Sequence, residues 1–255
     1  MAGNSVLVSR RALIGGLAST GGLMLAGCSG EQPTYGSLLR MGDNFTYGAQ
    51  RLLLPAKALA REYDRSAISS MPAIGTVDPS RADSEFYNPE GGAAYAALKR
   101  GEFADWRLRV DGSVARPVAF ALADLQRMAS RTQITKHMCE EGWSSIAEWT
   151  GVPLRTVLEA AGIRPSARYV QFHTFDGIID SIDMVDALHP QTLLAYGMNG
   201  RALPISHGAP VRLRVERQLG YKSMKFLHRI EVTDDFVDPG RAGPIAGGWA
   251  WYVGV

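Results

Sequence analysis

Apolar positions in this chain fall into short runs of changing period. Trp106 to Val110 alternates apolar and polar, the period of a strand with one buried face, and Asp111-Gly112 reads as the turn after it. Ala121 to Met128 predicts a short helix, and Thr132 to Cys139 a strand. Pro153 to Ala161 predicts a helix with Pro at its opening and Gly162 at its end. Tyr169 to His173 reads as a buried strand. Leu193 to Met198, then Asn199-Gly200, then Arg201 to Ile205 carries the signal of a hairpin with a type I′ turn. Val211 to Val215 and Phe226 to Val232 alternate again. Upstream, residues 37–64 mix Leu, Ala and Arg at helical spacing around Pro55, which predicts one or two short surface helices. Residues 65–93 hold Pro72, Gly75, Pro79, Pro89, Gly91 and Gly92 and read as an extended segment wrapping a body. Short strands with irregularly placed helices make the fold class α+β, without the alternation of a doubly wound sheet.

The opening residues read as an address. Arg10-Arg11 precedes an apolar run from Ala12 to Gly27, too short for a comfortable span of about 20 residues. The pattern is that of a twin-arginine signal peptide, which exports folded proteins to the periplasm. Leu25-Ala26-Gly27-Cys28 has the form of a lipoprotein processing site, at which Cys28 would become a lipid anchor. The expected organisation is a signal peptide at 1–27, membrane-proximal helices and a wrapping segment at 28–93, and a catalytic domain at 94–255.

Charge narrows the partners. Arg10 and Arg11 are the only charged side chains before Cys28; without them the 27 Lys and Arg of the chain fall to 25, the number of its Asp and Glu. A balanced domain gives no reason to expect nucleic acid. The phosphate-loop, dinucleotide and nucleophile-elbow motifs are absent from the sequence, and His137, His173, His189, His207 and His228 show no zinc spacing.

What remains is a thiol and a cationic stretch. Beyond Cys28 the chain has one cysteine, Cys139, in His137-Met138-Cys139-Glu140-Glu141-Gly142-Trp143-Ser144. A lone thiol in an oxidising compartment is either a ligand or nucleophile, or a small buried hydrophobe; its position alone leaves both open. His207 to Arg212 and Gly220 to Lys225 combine turns, a hydroxyl and cations, a composition that suits an anion and equally a solvated basic hairpin.

Taken together, Cys139-x-x-Gly-Trp-Ser through Gly151-Val-Pro-Leu154, Leu193-Leu-Ala-Tyr-Gly-Met-Asn-Gly200, His207-Gly-Ala-Pro-Val-Arg212 and Gly220-Tyr-Lys-Ser-Met-Lys225 resemble the molybdopterin-binding domain of the sulfite oxidase family. The likeness runs from about Asp105 to Asp235 and is strongest to its small bacterial periplasmic branch, which includes methionine sulfoxide reductase catalytic subunits. The resemblance implies that fold and a Mo-molybdopterin cofactor. It implies Cys139 as the metal ligand and catalytic residue. Thr174, His207, Arg212, Lys222, Ser223, Met224 and Lys225 become cofactor contacts, and Tyr87 and Asn88 upstream contacts. His137 and Trp143 flank the thiol. The implied reaction is oxygen-atom transfer to or from a small S-oxide, N-oxide or sulfite-like substrate. With no haem motif in the chain, electrons would pass to or from a separate membrane b-type cytochrome. The expected oligomeric state is monomeric, and membrane contact is expected through the lipid anchor or the partner. The sequence departs from sulfite oxidases in placing Glu140 and Glu141 after the thiol, where arginines would hold an oxyanion, and in carrying Ile178 and Ile179 where related chains carry tyrosines. Two other classes compete: an exported scaffold or binding lipoprotein that keeps the fold without turnover, and a hydrolase with a Ser or Cys nucleophile. Metal content separates the first reading from both.

Overall fold

A computed structural model describes residues 35–243 and 248–255. The Arg10-Arg11 pair, the apolar run before Cys28 and Cys28 itself lie outside the described residues. The chain divides into two units, Met1–Gly42 and Asp43–Val255. Of the first, only the opening turns of helix α1 (Tyr35–Leu53) are described.

The second unit is built on two five-stranded sheets. In the first, β1 (Arg107–Gly112) lies between β2 (Val118–Ala121) and β10 (Leu227–Thr233), and β5 (Tyr169–Thr174) and β6 (Ile179–Asp183) follow in the order β2-β1-β10-β5-β6. Only the β1–β10 pair is parallel. In the second, β3 (Arg131–Met138), β4 (Ser144–Pro153) and β7 (Leu193–Met198) pair antiparallel, and the far edge of β7 is shared by β8 (Arg201–Ala202) and β9 (Arg212–Arg214). Helices α2 (Pro89–Arg100), α3 (Leu122–Arg127), α4 (Leu154–Ala161) and α5 (Met184–Ala187) complete the unit. No helix among the described residues is long and apolar enough to cross a membrane.

Much of the expected pattern is present, with physical reasons for the differences. The hairpin turn has Asn199 at φ +52° and Gly200 at φ +74°, as a type I′ turn requires. Gly162 ends α4 in the left-handed region at φ +72°. Asp111-Gly112, expected as a turn, instead belongs to β1, because pairing with β10 carries through to Gly112 and Val232. Strand β4 was hidden by its Ser and Gly content; it is central, paired on both edges by β3 and β7. Helix α2 falls partly within the segment expected to be extended. Its two glycines are dictated by packing: a Cβ on Gly91 would lie 2.0 Å from the Phe175 carbonyl oxygen, and one on Gly92 2.6 Å from that of Pro79.

That close approach seats Tyr95 in the core. Its ring packs against Phe103, Phe175 and Phe226, and its hydroxyl donates to the Ala209 carbonyl at 2.7 Å. Fully buried Trp106 donates from Nε1 to the Leu227 carbonyl at 3.0 Å. Each such burial stabilises by about 2–3 kcal/mol for a large side chain. Helix α2 is therefore clamped to the ends of β5 and β10, next to the loops described below. Gly91→Ala tests the clamp. Alanine is the better helix former by about 1 kcal/mol, yet the clash with Phe175 should dominate, lowering unfolding free energy by about 2–3 kcal/mol; a denaturant titration reads the sign.

Candidate functional site

Strand β3 delivers the thiol. Beyond Met138 the chain turns: the Gly142 N–H donates to the Cys139 carbonyl at 3.1 Å and the Cys139 N–H to Trp143 at 2.9 Å, with Gly142 at φ +91°. This turn presents Cys139, which is buried and has no disulfide. Its Sγ accepts from the Glu141 N–H at 3.4 Å. It lies 3.6 Å from a Glu140 carboxylate oxygen and 4.0 Å from one of Glu141. Burial, reinforced by the two carboxylates, pushes the thiol up to about 11. Without a cation beside it the sulfur holds its proton; a soft metal would displace that proton.

Two loops meet beside the strand that carries the thiol. The first, Ile205 to Arg212, turns through Gly208 at φ +106°, where a Cβ would come within 2.9 Å of the Lys225 side chain. The second, Gly220 to Lys225, touches β3 at Gly220: a Cβ there would lie 2.5 Å from the His137 ring. Arg212 ties the loops together. Its Nη1 donates to the His207 carbonyl at 3.0 Å and its Nη2 to the Ser223 carbonyl at 2.7 Å. Ser223 Oγ accepts from the Val215 N–H at 3.2 Å, and the Met224 carbonyl from Leu213 at 2.7 Å.

Charge is distributed unevenly. Arg214 is neutralised by a buried bidentate pair with Glu216, at 3.1 and 2.7 Å. Arg212 is equally buried, yet no carboxylate pairs with it among the described residues, and none pairs with Lys225. Both arginines lie over the Trp149 ring, at 5.1 and 4.5 Å from its centroid. Lys225 donates to the carbonyls of Ile74 at 2.8 Å and of Thr76. Burial, then the charge of Arg214, lowers Arg212 to about 9; burial, then Arg212, lowers Lys225 to about 7. His207 falls to about 4 through burial and the same two cations. Unpaired cations held at a buried surface against their own repulsion are an anion site.

These groups surround one cavity of about 670 Å³. Of the residues expected from the sequence, Tyr87, Thr174, His207, Arg212, Ser223, Met224 and Lys225 line it, together with Glu140 and Glu141; Cys139 itself is not among the lining residues and stands directly behind those two carboxylates. Thr174 Oγ1 is bound to the Ile178 carbonyl at 2.8 Å and to Asp176. Asn88 sits behind the wall, its amide against Gly177. Lys222 does not line the cavity. It is fully buried, with its ammonium on Asp180 at 2.7 Å and the Ser181 carbonyl at 2.9 Å, so it pins the second loop to β6. Sequence reasoning missed Trp149, Arg214, Asp176, Arg241 and Trp249. Arg214 had a signal, as the next cation in the alternating strand after Arg212; the others reach the site only through the fold.

His137 gains a definite state. Its Nδ1 lies 2.8 Å from Arg214 Nη1, which can only donate. The ring is therefore neutral with its proton on Nε2, and burial followed by the neighbouring arginines lowers it to about 2. Gly220 packs against that Nε2 edge.

The donor set fits a metal chelated by an anionic organic cofactor. Among the described residues no three His, Cys, Asp or Glu side chains gather as a metal site; a metal on Cys139 would have its other positions open to a non-protein group. Arg212 and Lys225 supply the charge such a group would neutralise.

The unpaired Lys225 predicts the behaviour of protein freed of cofactor. Its folded value of about 7 lies below its ordinary 10.5. The unfolded chain then binds more protons between those values, so stability rises with pH across that window; below about 7 the full penalty is present. From pH 7 to 9 the gain should be about 2 kcal/mol, absent in Lys225→Met, as read from denaturant midpoints.

Comparison with known proteins agrees with this geometry. Residues 95–239 match the family described as "Oxidoreductase molybdopterin binding domain". The chain is 34% identical to the "Putative protein-methionine-sulfoxide reductase subunit YedZ1" of Azospira oryzae, across 90% of this chain and 83% of that one. It is 30% identical to the "Protein-methionine-sulfoxide reductase catalytic subunit MsrP" of Xanthomonas axonopodis pv. citri, across 90% and 71%. The sulfane dehydrogenase SoxCD of Paracoccus pantotrophus shares the fold at a TM-score of 0.50 and 23% identity, over 73% of this chain and 55% of that chain. The protein thus belongs to the oxidoreductase molybdopterin-binding family, with a sulfite-oxidase-type fold, and is a molybdopterin-dependent oxidoreductase that binds Mo-molybdopterin.

Proposed function

We propose that this enzyme reduces methionine sulfoxide, free or in polypeptides, in the periplasm, with electrons from a membrane b-type cytochrome. The observation that carries the substrate reading is the position of Glu140 and Glu141. Both line the cavity within 4.0 Å of the Cys139 sulfur. At about 6 Å and an effective dielectric constant near 20, each carboxylate opposes a monoanion by about 3 kcal/mol. Sulfite is disfavoured at such a site and a neutral sulfoxide is not. The relatives named as protein-methionine-sulfoxide reductase subunits support the same choice. The word subunit in those names, with the lack of a haem motif here, supports a separate electron donor. Arg10-Arg11 with its apolar run supports twin-arginine export, and Cys28 a lipid tether.

Bound Mo-molybdopterin supplies two-electron oxygen-atom exchange: a sulfoxide, two electrons and two protons become a sulfide and water. The chain does the rest. Cys139 would give up its proton and hold the metal through its sulfur. Arg212 and Lys225 would hold the cofactor's anionic end, with Ser223 and Met224 fixed beside them by Val215 and Leu213. His137 offers a neutral N–H on a ring whose protonation is locked by Arg214. Exposed Phe86, Tyr87 and Trp249 give the mouth an aromatic rim suited to a thioether side chain and its neighbours.

The test uses protein matured in a molybdenum-competent host and a reduced dye as electron donor. Methionine sulfoxide should be reduced and sulfite left unoxidised; a metal-free sample, or turnover of sulfite alone, refutes the reading. Cys139→Ser should lose turnover by at least about a thousandfold while its melting curve stays close to that of the parent. Glu140→Gln with Glu141→Gln should raise kcat/KM for an anionic sulfoxide relative to dimethyl sulfoxide by about tenfold or more, and added salt should reduce the difference.

A further inference from the structure

Helix α1 is amphipathic in the wrong sense for a surface helix. Its polar and aromatic face is the one bound to the body. Tyr47 donates to Asp183 at 2.7 Å, Arg51 reaches Asp183 and Asp186 at 2.8 Å each, and Gln50 accepts from Tyr252 at 2.9 Å. Phe45, Gly48, Ala49 and Leu52 follow at i, i+3, i+4 and i+7, which places them on the opposite side. That side carries no charge and is left to solvent: Phe45 is 76% exposed, Leu52 85% and Leu53 76%. Leu54 and Leu59, at 45% and 59%, extend the apolar surface past the helix end. A helix that spends an arginine and a tyrosine on its inner face and points Phe and Leu outward is built to meet something apolar. The family domain begins only at residue 95, so this helix stands outside it.

We propose that the outward face of α1 lies in the head-group region of a lipid bilayer, holding the enzyme flat on the membrane. Two features choose lipid over a protein partner. Cys28, at the end of the apolar run, precedes Tyr35 by seven residues, a reach of roughly 25 Å when fully extended. A chain tethered there cannot carry α1 far from the bilayer. Exposed Lys57 and Arg61 are interleaved with Leu54 and Leu59 at the end of the apolar patch, as suits an interfacial segment on anionic lipid, while Glu62 is already engaged by Arg131 and Gln191. The proposal deepens the membrane-tether part of the function proposed above, and its test is independent of lipid attachment.

The test uses the chain beginning at Ser29, which lacks the apolar run and Cys28 and contains the whole compact unit Asp43–Val255 with its own core. The probe is vesicles of phosphatidylethanolamine and phosphatidylglycerol. Co-sedimentation is expected. Phe45→Ser, Leu52→Ser and Leu53→Ser combined should lower the partition coefficient at least tenfold, with an unchanged melting curve because all three side chains are exposed. Val185→Ser, an exposed apolar position outside α1, should leave it unchanged. No binding to vesicles, or equal binding of the triple variant, overturns the proposal. So does a lipid-free dimer that the triple variant dissolves, since the face would then belong to a second copy. Mass spectrometry of residue 28 in the full exported chain decides the tether separately.

Discussion

Arg212 is the side chain on which the site depends. Its guanidinium donates to the His207 and Ser223 carbonyls and so fixes two loops that the sequence separates. Those two bonds satisfy donors without neutralising charge. The nearby carboxylate, Glu216, is taken by Arg214. The fold thus keeps a buried cation unpaired, at a penalty visible in its lowered proton affinity and in that of Lys225. An anionic cofactor converts that penalty into binding free energy, so the loops and the ligand complete one another.

The thiol beside the cavity is held on the opposite principle. Burial and two neighbouring carboxylates hold Cys139 in its protonated form. Proton loss there requires a positive centre, which ties ligation to the metal and keeps the bare sulfur unreactive. The same carboxylates set the sign of the field that a substrate meets. The one cavity thus carries cations at Arg212 and Lys225, with Asp176 and Glu85 near Lys225, and two more carboxylates, Glu140 and Glu141, beside the sulfur. His137 lines the same cavity, neutral, because Arg214 occupies its Nδ1.

Packing elsewhere serves these loops. Lys222 gives its ammonium to Asp180, and Tyr221 donates to the Ala250 carbonyl, so the second loop is held from β6 and from the C-terminal segment at once. Helix α2 abuts the Phe175 carbonyl, one residue from Thr174, through a glycine contact that admits no side chain. Helix α1 contributes in another way. Its polar face is used up by Asp183 and Asp186, and its apolar face remains outside.

Local pattern was enough to indicate β1, β3, β5, β7, β9, β10 and helices α3 and α4, because a strand with one buried face alternates and a capped helix carries Pro and Gly at its ends. The residues singled out through the family resemblance, Thr174, His207, Arg212 and Ser223 to Lys225, lie around one cavity in the structure. Strand β4 and helix α2 were not legible in the sequence. Their glycines and serines read as loop, and only a partner backbone, Phe175 above Gly91 or Leu194 beside Gly151, explains why a small residue must stand there. The sequence could not assign Lys222 to Asp180 and Arg212 to an open cavity, nor aim Glu140 and Glu141 at the sulfur. Which cation finds a carboxylate depends on distances between segments far apart in the chain, and those distances exist only once the two sheets have closed around the cavity.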